Sequence, residues 1–141
     1  MSAIQSDPRF SIPLKKEMAF RDAAAAGDLV WVLTPATVAH EATTAAWTRD
    51  VTVTLETAAG DVHTWFDKAI STGVSIADTS TAGTATIAAT TLTIKNGKAI
   101  ITVTGDAAAW NDTQTDTLTV AQATIMGATV AAKTSVETFT V

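Results

Sequence analysis

Apolar and polar residues alternate along most of the chain. In VTVTLE, Val51, Val53 and Leu55 fall on one side and Thr52, Thr54 and Glu56 on the other, the two-residue period of a half-buried strand. TAAGD (Thr57 to Asp61) follows as a turn, with Gly60 free to take the positive φ of a tight reversal. VHTWFDKAI is the expected partner strand, and VSIAD and GTATIAA continue the series of short strands.

The sharpest local signal is TLTIKNGKAIITVTG (Thr91 to Gly105). Asn96-Gly97 favours a two-residue hairpin, whose type I′ turn needs positive φ at both central positions. Pairing outward sets Lys95 opposite Lys98, Ile94 opposite Ala99 and Leu92 opposite Ile101, so that Leu92, Ile94, Ala99, Ile101 and Val103 share one face. Beyond it, DTLTVAQATIMGATVAAKTSVETFTV predicts two or three more strands, with Val136 and either Phe139 or Val141 pointing inward.

Helix signals are sparse. KKEMAFRDAAAAGD has good helix formers and a glycine stop, enough for one or two turns near Lys15 to Ala26; an extended arm is the alternative. PATVAHEATTAAWTRD (Pro35 to Asp50) fits either a strand or a short helix. Threonine makes up about one residue in five and favours pleated surfaces over helix interiors. Strands and turn signals at this spacing predict an all-β, antiparallel sandwich. No repeat of fixed period is visible.

Composition narrows the functional classes. At 141 residues the chain makes one domain with an appendage: an N-terminal arm over 1–28 and a β domain over 29–141. Only 16 % of residues are charged, below the usual quarter, which suits a protein packed among neighbours. The net charge of −5 argues against general nucleic-acid binding, which needs a basic face. With no cysteine, disulfides and thiolate chemistry are excluded. The expectation is synthesis in the cytoplasm without a signal peptide and without a membrane span.

VTVTLETAAGDV, STAGTATIAATTLTIKNGKAIITVTG and TQTDTLTV resemble the strand series of bacterial and phage immunoglobulin-like domains, over about Val51 to Val120. In those modules a VTVTL strand and turn lead to a G-x-A-x-(I/V)-x-(V/T)-T strand, met here by Gly97, Ala99, Ile101 and Val103, and a TLTV strand closes the series. A single such domain behind an apolar, basic N-terminal segment is similar to tailed-phage head decoration (cement) proteins. The resemblance implies an immunoglobulin-like β-sandwich on the virion exterior, made in the host cytoplasm. Its partners would be the major capsid protein and further copies of itself, with a trimer over a local threefold favoured over a dimer. A tail tube or tail-accessory protein is the nearest alternative, and a carbohydrate-binding or adhesion module a more distant one.

Candidate chemistry adds little. Asp61, His63, Trp65 and Asp67 would share one strand face, roughly 6–7 Å between alternate residues, within reach of a shared metal. A third ligand cluster is missing, so a solvated strand face is the preferred interpretation and no metal or cofactor is expected. His40 and Glu41 are adjacent and point to opposite faces of a strand. No nucleophile elbow, GxxxxGK[ST] or GxGxxG occurs, and no enzymatic activity is expected. Of the four tryptophans (Trp31, Trp47, Trp65, Trp110), one or two would fill the core. Trp110, in GDAAAWNDTQTD, is expected as a loop-packing or surface contact residue.

The opening stretch is the candidate interface. Arg9, Lys15, Lys16 and Arg21 give residues 1–22 a charge of +1 against −6 for the remainder. Ile4, Phe10, Ile12, Leu14, Met18 and Phe20 supply large apolar side chains, and Pro8 and Pro13 favour extended backbone before them. Burying three such side chains on a partner stabilises by roughly 4–9 kcal/mol before ordering costs. The competing reading is that the arm folds back over its own sheet edge.

Overall fold

The computed structural model describes residues 28–62, 69–79, 82–110, 114–125 and 128–140, with Met18 and Asp22. The described residues form eleven strands: β1 (Leu29–Thr34), β2 (Thr37–Glu41), β3 (Trp47–Thr57), β4 (Ala69–Asp78), β5 (Ala85–Ile87), β6 (Thr91–Thr93), β7 (Lys98–Gly105), β8 (Thr115–Val120), β9 (Ala123–Ile125), β10 (Ala128–Val130) and β11 (Lys133–Thr140). Met18 and Asp22 have helical backbone and are exposed. The fold is all-β, as the alternation predicts.

Two larger sheets carry the domain. One has four strands in the order β1-β3-β7-β5, the other five in the order β2-β11-β8-β4-β6, and β9 and β10 form a separate pair. All pairings are antiparallel except β2 with β11. The ambiguous Pro35–Asp50 stretch supplies β2 and the start of β3, and the Thr34–Pro35 peptide between β1 and β2 is cis.

Alternation decides which side chains meet between the sheets. Leu29, Trp31, Leu33, Val51, Val53 and Leu55 are buried from the four-stranded sheet, as are Ala99, Ile101 and Val103. Val74, Leu92, Leu118 and Val120 meet them from the five-stranded sheet, and Ala123, Ile125 and Val130 from the small pair. Burying a side chain of this size contributes about 1.5–3 kcal/mol, so this one cluster is the main source of stability in a chain without disulfides.

The Asn96-Gly97 turn forms as expected, with φ of 53° and 72°, and Lys95 and Lys98 exchange backbone hydrogen bonds of 2.8 and 3.0 Å. The hairpin ends there, which corrects the expected pairing of Ile94 with Ala99 and Leu92 with Ile101. β7 is paired on both sides, to β3 and β5, while β6 pairs with β4 in the other sheet. Leu92, Ile94, Ala99 and Ile101 are all buried because the chain turns a corner and the two strands face one core from opposite sheets.

A second correction concerns β11. Val136 was expected to point inward, yet Ser135 and Glu137 are buried and Val136 is only half-buried on the opposite face. The side chain of Phe139, and Val141, lie outside the described residues.

Candidate functional site

The five-stranded sheet has an unusual distribution of polarity between its two faces. On β8, Asp116, Leu118 and Val120 are buried, as is Gln114 just before it, while Thr115, Thr117 and Thr119 face outward. On β11, Ser135 and Glu137 are inward and Thr134, Val136 and Thr138 outward. Register then aligns three acids: Asp78 on β4 lies opposite Asp116, and Asp116 opposite Glu137. Cross-strand partners of this kind stand about 4.5–5.5 Å apart, and like charges so placed repel.

The interior gives these acids few donors. Asp116 is 2 % exposed, and neither of its carboxyl oxygens has a hydrogen-bond partner. Ser135 directs its hydroxyl away, donating to the Pro35 carbonyl. Asp78 Oδ2 accepts the Ala85 N–H at 2.8 Å. From β3 in the facing sheet, Arg49 Nε stands 4.0 Å from Glu137 Oε1, an ion pair at a distance too long for a hydrogen bond. A cavity of about 10 Å³ lies between Val51 and Val103 on one side and Ile76, Asp116, Leu118, Ser135 and Glu137 on the other, at the lower limit of the room that one water needs.

Burial pushes the Asp116 carboxyl up to about 7. Hydrogen bonding of its protonated form to Asp78 adds to the effect, as do the charges of Asp78 and Glu137. Burial also raises Glu137, against the opposing pull of the Arg49 charge.

The outer face of the same sheet is the reverse. Its cross-strand rows are Ser75, Thr119 and Thr134; Ala77, Thr117, Val136 and Thr37; and Thr115, Thr138 and Ala39. No charged residue interrupts these rows, and the next pair, Thr140 with the exposed Glu41, ends them at the edge strand. The outer face of the four-stranded sheet, by contrast, carries Asp50, Glu56 and Lys98, with Asp50 accepting the Thr102 hydroxyl at 2.6 Å and Glu56 that of Thr54.

The tryptophans mostly serve packing. Trp110 is 2 % exposed, which corrects the surface-contact alternative and leaves the packing one. Its Nε1–H donates to the Asp106 carbonyl at 2.9 Å, and its ring meets Trp47. An apolar ring with one satisfied donor is stable inside, and the polar loop sequence around it concealed this. An open depression of about 460 Å³, lined by Ala42, Thr43, Thr44, Ala109 and Trp110, lies beside it. Trp31 is buried and Trp47 partly so, so none of these three rings offers an exposed platform for stacking on a sugar.

The other candidate residues divide between described and undescribed positions. Ile4, Arg9, Phe10, Ile12, Leu14, Lys15, Lys16, Phe20 and Arg21 lie outside the described residues, as do His63, Trp65 and Asp67; Asp61 is exposed beside its turn. Among the described residues no group of three or more His, Cys, Asp and Glu side chains is arranged to hold a metal ion, and no helix is long and apolar enough to cross a membrane. Sequence reasoning missed the acidic row. Its only trace is that Asp78, Asp116 and Glu137 each lie within a Thr/Val strand pattern, and hydrophobicity assigns such residues to solvent.

Comparison with family models, curated proteins and solved structures returns no match for this chain.

Proposed function

We propose that this chain is a non-enzymatic, immunoglobulin-like structural module of a tailed-phage virion, a decoration protein that attaches to the outside of the head. It braces contacts between major capsid protein subunits. The observation that carries this reading is the outer face of the five-stranded sheet, where ten residues in three successive rows carry no charge and an acid, Glu41, stands at the end of the edge strand β2. Covering these rows of Thr, Ser, Ala and Val loses little hydration energy, because no ion within them has to be desolvated.

Two further observations support it. The sheet orders β1-β3-β7-β5 and β2-β11-β8-β4-β6, with β2 parallel to β11, fit an immunoglobulin-like sandwich in which the N-terminal strand divides between the sheets. The basic, apolar opening segment fits an arm that reaches a neighbouring subunit. Attachment at a capsid threefold as a trimer would let individually weak contacts add through multivalency.

The test is binding of the full-length protein to purified heads, compared with a Thr117→Lys variant and a variant lacking residues 1–22. Circular dichroism checks that each retains the β domain. Both changes should weaken head binding by at least tenfold. Undiminished binding by both would remove the face and the arm from the interface and with them this reading.

A further inference from the structure

We propose that Asp78, Asp116 and Glu137 hold a shared proton between the two sheets, forming a proton-operated clasp that is closed while the proton is bound and loosens when it leaves. The proposal does not depend on what the domain attaches to.

The geometry begins with register. The three acids are direct cross-strand neighbours on β4, β8 and β11, with Asp116 in the middle. Ionised carboxylates only accept hydrogen bonds, so three of them side by side contain no donor. Asp116, buried and with both oxygens unpartnered, faces this shortage most directly. Among the described residues, two nearby donors are already engaged. The Ser135 hydroxyl serves Pro35, and the Ala85 N–H serves Asp78. A proton on Asp116 supplies the missing donor, and Asp78 on the adjacent strand is the acceptor.

Three of the packed strands set the balance of charge. β4 presents Asp78, β11 presents Glu137, and β3 presents Arg49, whose side chain is 42 % exposed and stands 4.0 Å from Glu137. The inward positions of β7 nearest the row are Ile101 and Val103, and β5 contributes Ala85 and Ile87; among the described residues neither strand presents a titratable group. Among the described residues one cation, Arg49, faces three acids. With the proton bound, the row carries one negative charge fewer against Arg49 than without it. The released proton passes to solvent.

The ends of the row link the sheets. Asp78 closes β4 and holds the first N–H of β5, which belongs to the four-stranded sheet. Glu137 faces Arg49 on β3 of that same sheet. Ionisation of Asp116 drives both neighbours apart and so loads both links at once. The upward displacement of the Asp116 carboxyl to about 7 places this event near neutral pH.

The sign follows from linkage. An unfolded Asp titrates near 3.9, so between about pH 4 and pH 7 only the folded chain retains this proton. Its contribution to stability is complete below about pH 4, declines through that window and is gone above about pH 7. Relative to Asp116→Asn, whose amide is a permanent donor, the unfolding equilibrium constant of the wild-type chain should rise about tenfold per pH unit across the window and level off above it.

The experiment combines chemical denaturation of the full chain and Asp116→Asn from pH 4 to 9 with two measurements on the unmodified chain. These are carboxyl ¹³C titration by NMR, and hydrogen exchange at the Ala85 amide, corrected for intrinsic rate. Asp116 is expected to titrate near neutral pH, and Ala85 protection to fall by at least fivefold as it does so. Titration of Asp116 near pH 4 would overturn the shared proton. Unchanged Ala85 protection through a neutral titration would overturn the clasp. If Asp116→Asn fails to fold, the NMR and exchange measurements decide alone.

Discussion

Trp47 and Trp110 meet edge to face, ring centroids 5.3 Å apart and planes inclined at 78°. A glycine lies against each indole. A Cβ on Gly105 would come within 2.1 Å of the Trp47 ring, and one on Gly83 within 2.6 Å of Trp110. Gly105→Ala therefore has to displace a large ring in a packed site. It should destabilise the domain by about 1–3 kcal/mol, read as a lower midpoint in chemical denaturation with a shift in tryptophan emission.

The turn at Asn96-Gly97 gives a backbone test. Gly97 has φ of 72° and its carbonyl accepts the Leu55 N–H at 3.0 Å, so the turn is tied to β3. Gly97→Val places a β-branched residue in left-handed backbone and should cost at least ~1–2 kcal/mol. Asn96→Gly should change stability by less than about 1 kcal/mol. Equal losses from the two would contradict the turn assignment.

These turns were legible in the sequence because their chemistry is local. So were the inward faces of β3 and β7, where Val51, Val53, Leu55, Ala99, Ile101 and Val103 follow a strict period of two. Strand partnership was not legible: Leu92 and Ile101 share a core without sharing a ladder, since a corner between sheets leaves no mark in an apolar pattern. The acidic row was hidden for another reason. Hydrophobicity placed Val136 inside and Glu137 outside, while the fold reverses them by supplying Arg49 across the sandwich and neighbouring carboxyls that can share a proton. For Trp110 the sequence left packing and surface contact open, because a polar loop says nothing about the indole of Trp47 folding over it.

Arg49 should matter more as pH rises. Its charge opposes the rise that burial imposes on Glu137, so Arg49→Gln lets that carboxyl rise further. A group raised in the folded state contributes stability that is full below the unfolded range and lost as pH rises through the folded value. The loss caused by Arg49→Gln should therefore be larger at pH 8 than at pH 4.5, as measured by urea denaturation at both.

The reversal on β11 separates two substitutions that sequence patterning would rank the other way. Val136→Thr joins an outer row already formed by Ala77, Thr117 and Thr37 and should shift stability by less than about 0.5 kcal/mol. Ser135→Leu forces a larger side chain into a site that is 1 % exposed and removes the hydroxyl that serves Pro35. It should cost about 1–3 kcal/mol. Thermal unfolding of the two variants beside the parent chain checks the order.

Attachment to a phage head is read from where the full-length protein sediments. Purified heads and purified tails from the same phage are incubated separately with the labelled chain and spun through a density gradient. A decoration protein should co-sediment saturably with heads and not with tails. Recovery with tails, or with neither particle, would contradict head attachment.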